Sequence, residues 1–285
     1  MNILTFDIED WFHILDLENS TNIKEWNLNE KRVHLGINKI LNLLEKNNQK
    51  ASFFILGWVA VKYPDIIKNI AMKGHEIGTH SQFHKLAYTQ TPYEFEKDLV
   101  RSIENIYRST NIFPKFYRAP GFSITDNNLW AFDILKKNSI EIDCSIFSAS
   151  RAHGGISSYI IDKPCIIDTK FGELKAFPMN IYKFLSFNIV FSGGGYFRLL
   201  PEKILLNLFK KNNEYIMTYF HPRDFDYEQP RMKKMSLFKY FKSYVGLKSS
   251  FKKLEKIVSQ VKFISLLEAK NEIEWNKVKH YKFKS

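Results

Sequence analysis

The chain has 285 residues, 45% of them hydrophobic and 15% aromatic, which is enough to bury a full core and excludes a disordered polymer. No run approaches the roughly 18–20 uninterrupted apolar residues of a bilayer span, and the early acids Asp7, Glu9 and Asp10 do not read as a secretory leader, so a cytoplasmic protein is expected. The net charge of +12 is concentrated in residues 231–285, where 15 Lys/Arg face 4 Glu. With no nucleic-acid-binding motif beside it, this basic segment is expected to be a solvated face, or one that meets an anionic membrane surface or a phosphate-bearing substrate.

In chain order, Ile3–Ile8 reads as a short buried strand ending in acids, and Val33–Glu45 as a helix with Ile37, Ile40, Leu41 and Leu44 on one face. Ala51–Leu56 is strand-like, Val59–Lys73 helical and stopped by Gly74, and His75–Thr79 strand again. Pro92–Arg108 follows as helix, Lys115–Arg118 as strand, Asp126–Lys137 as a helix capped by Asp126, and Ile140–Ser145 as strand. After residue 150 the pattern turns β-rich over Tyr159–Pro178. A Gly193-Gly194-Gly195 loop then precedes a helix from Pro201, and a strand over Glu214–Phe220 ends at His221. Short apolar runs alternating with amphipathic helices predict an α/β fold with a mainly parallel sheet, and the lack of a linker predicts one domain over 1–285. Cys144 and Cys165 lie in strand-like runs without metal-site spacing and are expected to be buried thiols.

Asp7, His80, Arg118, Asp143 and His221 fall at or just after the C-terminal ends of predicted strands, the edge where α/β folds assemble active sites. His80 and His84 stand at i, i+4, a spacing that on a helical turn lets two imidazoles grip one metal ion. The acids at 7, 9 and 10 end an apolar strand, where a carboxylate is costly unless paired or metal-bound. Two histidines and one carboxylate leave open positions on a zinc-type ion, and a second carboxylate would serve as general base. Arg118 can orient that base, Gly121 can present its N–H to an oxyanion, and His221 is placed to act as general acid.

Taken in order, these pieces resemble the polysaccharide deacetylase family (NodB-homology domain, carbohydrate esterase family 4). The matching stretches are 5–11 (TFDIEDW), 51–57 (ASFFILG), 74–84 (GHEIGTHSQFH), 117–123 (YRAPGFS), 143–147 (DCSIF), 193–198 (GGGYFR), 219–222 (YFHP) and 241–245 (FKSYV). The likeness covers nearly the whole chain. It leans to the allantoinase-like and peptidoglycan-deacetylase-like branch, and within that to the subgroup linked to exopolysaccharide and exosortase gene clusters.

The resemblance implies a distorted (β/α) barrel and removal of an N-acetyl or similar acyl group from an amino sugar, with a divalent metal, most simply Zn2+. By position, Asp7 becomes the base, His80 and His84 metal ligands, Arg118 the group that positions Asp7, Gly121 an oxyanion donor, and His221 the acid tuned by Asp143. The family's commonest first motif has two adjacent aspartates, whereas here Ile8 follows Asp7; strand alternation favours Glu9 as third ligand, and a bulge would present Asp10. The expected partner is a sugar or glycan, including a nucleotide- or lipid-linked precursor. The competing readings are a hydrolase of another C–N bond, such as a cyclic amide or ureide, and a non-catalytic glycan-binding barrel.

Overall fold

The computed structural model describes residues 1–15, 22–148, 153–184, 187–211, 215–232 and 235–283. The chain forms two compact units, each built from separate stretches: 1–51 with 182–266, and 52–181 with 267–285.

In the second unit, Ser52–Ile55, Glu76–Thr79, Phe116–Tyr117, Ile142–Asp143 and Gly172–Ala176 run parallel to one another in that spatial order. Cys165–Thr169 then pairs antiparallel with Gly172–Ala176, and His280–Tyr281 adds in parallel outside it. The fold is thus α/β with a mainly parallel sheet, as expected, and the β-rich stretch after residue 150 is a hairpin laid onto that sheet. Helix Pro92–Thr110 buries Phe95, Leu99, Ser102 and Ile106, a stripe at helical spacing. Its start is fixed by a capping box in which Thr91 and Glu94 satisfy each other's backbone N–H groups. Around it pack Tyr117, Phe132, Leu135, Ile140 and Leu174, all buried.

Two expected helices differ in extent. The helical run over 59–73 is divided into Gly57–Lys62 and Pro64–Met72, because Pro64 forces Tyr63 out of helical geometry (φ −136°, ψ 54°). The helix expected from Asp126 begins at Trp130 instead. Asp126 caps nothing there; its carboxylate accepts bonds from the backbone of Ser157 and Ser158.

In the first unit, Asn2–Ile3 pairs in parallel with Ile216–Met217, and Phe6, within Thr5–Ile8, bridges to Phe220. The strand expected over 214–220 is regular only at its centre, and Glu214 lies outside the described residues. Tyr182–Phe184 and Phe187–Ile189 form a second hairpin, and the helix after the glycine run begins early, at Gly194–Leu199, before Glu202–Lys211. Helix Val33–Lys46 lies against the turn Pro222–Phe225 so closely that a Cβ on Gly36 would run into the Pro222 backbone.

Candidate active site

In the first unit, Asp7 sits on the last turnless stretch of Thr5–Ile8 and Glu9 follows it, both buried. Alternation along the extended chain turns both toward His221, which follows directly on Phe220, the residue bridged to Phe6. His221 Nε2 lies 3.9 Å from Asp7 Oδ2 and 3.7 Å from Glu9 Oε1. Its other nitrogen, Nδ1, is 3.1 Å from Asp224 Oδ2, which also accepts the His221 backbone N–H at 2.9 Å. Asp224 is in turn bound by Arg198 Nη1, and the Arg198 guanidinium donates onward to Val245 and Lys242 carbonyls.

This surrounding sets the charges. Burial works against the Asp224 carboxylate, but Arg198 and His221 outweigh it and hold the acid well below the usual carboxylate range. Burial also disfavours a charged His221, yet Glu9, Asp224 and Asp7 override it and push the imidazole up to about 9. His221 is therefore an imidazolium at neutral pH, with one carboxylate behind it and two in front.

Asp10 does something else. Its Oδ1 accepts the Trp11 N–H and its Oδ2 the Arg32 and Val33 N–H groups, so it caps the start of helix Val33–Lys46. Burial pushes this carboxyl up to about 6.

In the second unit, His80 follows directly on Glu76–Thr79, and His84 lies in the same loop. The loop is not the helical turn that the spacing suggests: Ser81 and His84 have left-handed φ of 67° and 55°. The rings still come together, with centroids 5.4 Å apart. The loop is pinned on several sides. The Gly57 and Trp58 N–H groups, at a helix start, donate to the Ser81 and Gln82 carbonyls; Asp98 accepts the Gln82 N–H, and Ser102 donates to the Ser81 carbonyl. A side chain on Gly57 would collide with Gln82 and Ser102, which explains the glycine closing the 51–57 motif.

His80 Nδ1 is 2.7 Å from the Arg118 carbonyl. A carbonyl only accepts, so Nδ1 carries the proton and Nε2 carries the lone pair, the tautomer a metal-ligating histidine needs. The Arg118 side chain is fully buried, donates from Nε to the Cys144 carbonyl and stacks 4.2 Å over Phe54. Gly121 has φ 60°, a conformation suited to glycine, in the turn directly after. Asp143 ends its strand as expected, but its Oδ2 accepts the Ser145 N–H while Oδ1 has no hydrogen-bond partner. Burial raises this carboxyl to about 7. The carboxylate that holds His221 is therefore Asp224, not the expected Asp143. Cys144 and Cys165 are buried free thiols, and burial pushes Cys165 up to about 12.

Asp224 and Ser145 are absent from the expected set, although Arg198 closes one of the motif stretches. A signal for Asp224 was present: an acid three residues after a histidine, across a Pro turn, satisfies the His backbone and ring together.

The polysaccharide deacetylase family model matches residues 32–139, and a model described as a domain of unknown function, DUF3473, matches residues 144–270. Residues 32–139 carry a polysaccharide deacetylase domain. Among curated proteins, a peptidoglycan-N-acetylglucosamine deacetylase of Bacillus cereus is 39% identical over 94 residues, 33% of this chain and 34% of that protein. Chitin deacetylase 1 of Saccharomyces cerevisiae is 36% identical over 89 residues, 31% of this chain and 29% of that protein. The chain thus spans about a third of the length of these relatives.

Solved structures extend the likeness over the whole chain. A protein from Mycobacterium smegmatis assigned as a polysaccharide deacetylase aligns with TM-score 0.65 at 18% identity, over 97% of this chain and 91% of that one. A carbohydrate esterase family 4 pseudoenzyme from Bacillus anthracis aligns at TM-score 0.51 and 14% identity, over 99% of this chain and 69% of that one. At these identities the likeness shows the fold, that of the deacetylase domain with its distorted barrel.

Proposed function

We propose that this chain is a metal-dependent N-deacetylase acting on an N-acetylated amino sugar of a surface glycan or its precursor. The observation that carries the reading is His221, held from behind by Asp224 and faced by the two carboxylates Asp7 and Glu9. The named relatives act on peptidoglycan N-acetylglucosamine and on chitin, which favours an acetamide on a hexosamine over a cyclic amide or ureide.

We assign the ligand set to Glu9, His80 and His84, whose donor types and burial suit one divalent ion. The tautomer imposed on His80 fits this role, and so does the engagement of Asp10 elsewhere, which leaves Glu9 as the third protein ligand. Such an ion, Zn2+ in the simplest case, would polarise the acyl carbonyl and acidify a bound water. Asp7 accepts the proton of the attacking water. We assign Arg118 to positioning Asp7, and the Gly121 N–H to the oxygen on which charge develops. His221 gives its Nε2 proton to the departing amine, and Asp224 keeps the ring oriented and protonated until then. Presence of both acid and base favours turnover over a purely glycan-binding barrel.

The test is acetate release from N-acetylglucosamine oligomers and peptidoglycan fragments by the metal-loaded protein, beside Asp7→Asn. Release that stops with Asp7→Asn, and with chelation, is the expected result. Release that survives either treatment refutes the mechanism.

A further inference from the structure

Helix Leu237–Tyr244 in the first unit carries an unusual surface. Its C-terminal end is fastened: Ser243 and Tyr244 are buried, the Tyr244 hydroxyl accepts the Met232 N–H, and Arg198 donates to the carbonyl of Lys242. Arg231 stacks 4.4 Å over the Tyr244 ring. On the outward side Leu237 is 90% exposed, Phe238 73% and Phe241 53%. At 100° per residue these three fall within one arc, the reverse of where a globular helix puts its large apolar groups. Lys242 borders that arc, and its Nζ lies 5.4 Å from the Phe238 ring. The adjoining helix Gly194–Leu199, whose Gly195 admits the Lys242 carbonyl, exposes Leu199 as well.

We propose that this helix is a membrane-docking element that lies in the interface of an anionic bilayer. Leu237, Phe238 and Phe241 enter the boundary between headgroups and acyl chains, and Lys242 beside them meets lipid phosphates. Charge decides the occupant: within the same unit, residues 231–266 carry 10 Lys/Arg against 1 Glu, so a second copy of the same surface is repelled while an anionic one is drawn in. The mode is interfacial, since no helix among the described residues is long and apolar enough to cross a membrane. Because Tyr244 and Arg198 already fix the helix, little ordering entropy is lost on docking. The proposal stands apart from the deacetylase reading, because docking needs neither metal nor substrate.

Co-sedimentation of the full chain with phosphatidylcholine vesicles, with and without phosphatidylglycerol, tests it. Binding is expected only to the anionic vesicles and to weaken with salt. Phe238→Ser with Phe241→Ser is expected to weaken it at least about tenfold. Lys242→Gln is expected to weaken it several-fold, with the melting temperature unchanged in both variants since Phe238, Phe241 and Lys242 are exposed. Equal binding to both vesicle types, or unaltered binding by the Phe variant, overturns the proposal. So does a dimer by light scattering that the Phe variant converts to monomer, which would make the face a self-association surface.

Discussion

The His221–Asp224 pair turns a strand-end histidine into an acid. In the metal-free protein the imidazole is raised from its ordinary 6.5 to about 9, so its contribution to stability is fully present below about pH 6.5 and is lost as pH rises through 9. The expected size is about 1–3 kcal/mol, discounted for the part of the ring that meets solvent. Urea unfolding of the chelated protein between those limits should show this fall, and His221→Gln should flatten it. Asp224→Asn keeps an oxygen on the ring but removes the charge, so the alkaline limb of the activity profile should move to lower pH by about one unit. An unmoved limb would show that Asp224 only packs. As candidates, Asp7, His80 and His221 stand out because each lies at or just after the end of a strand-like run, and His84 because it follows His80 by four residues. Asp224 does not, because an acid after His-Pro reads equally well as a plain cap, and nothing local says that Arg198 will arrive to bind it.

Helices and strands show where such legibility stops. The parallel strands at 52–55, 76–79, 116–117 and 142–143 follow largely apolar runs, since strands in a covered parallel sheet bury most of their side chains on both faces. Helix starts were harder, because Asp126 satisfies the sequence rule for a cap while its carboxylate is taken by Ser157 and Ser158, thirty-odd positions later. Asp10 shows the converse, a suspected ligand that caps Val33–Lys46 across 22 and 23 residues of chain. Asp10→Ala should therefore cost about 1–3 kcal/mol, and Asp10→Asn less, with metal content unchanged in both. Metal lost from folded Asp10→Asn would make Asp10 the ligand instead. The contact of the same helix with Pro222 gives a sharper test. Gly36→Ala has no room for its methyl, so the turn bearing His221 and Asp224 must shift, and kcat should fall more than KM rises, with about 1–3 kcal/mol lost in thermal unfolding.

For the molecule as a whole, periodicity could announce an α/β fold but not that residues 182–266 return to complete the unit begun by 1–51. That pairing rests on contacts such as Asn2 with Ile216 and Phe6 with Phe220, which no window of sequence contains. The proposed ligand set draws on residues far apart in sequence, Glu9 near the start of the chain and His80 and His84 some seventy positions on. A metal bound by the native chain alone is then a cross-link between distant segments as well as a reagent, and its affinity adds directly to stability. At a free metal concentration a hundredfold above Kd the gain is about 2.7 kcal/mol, or roughly 4–5 °C in Tm for a chain of this size. Calorimetry with and without a chelator should show that interval. Glu9→Gln or His84→Ala should abolish the metal-dependent shift while leaving the chelated protein's Tm within a few degrees of the parent's. A shift that persists in both variants would place the metal elsewhere, and with it the base and acid assigned around it.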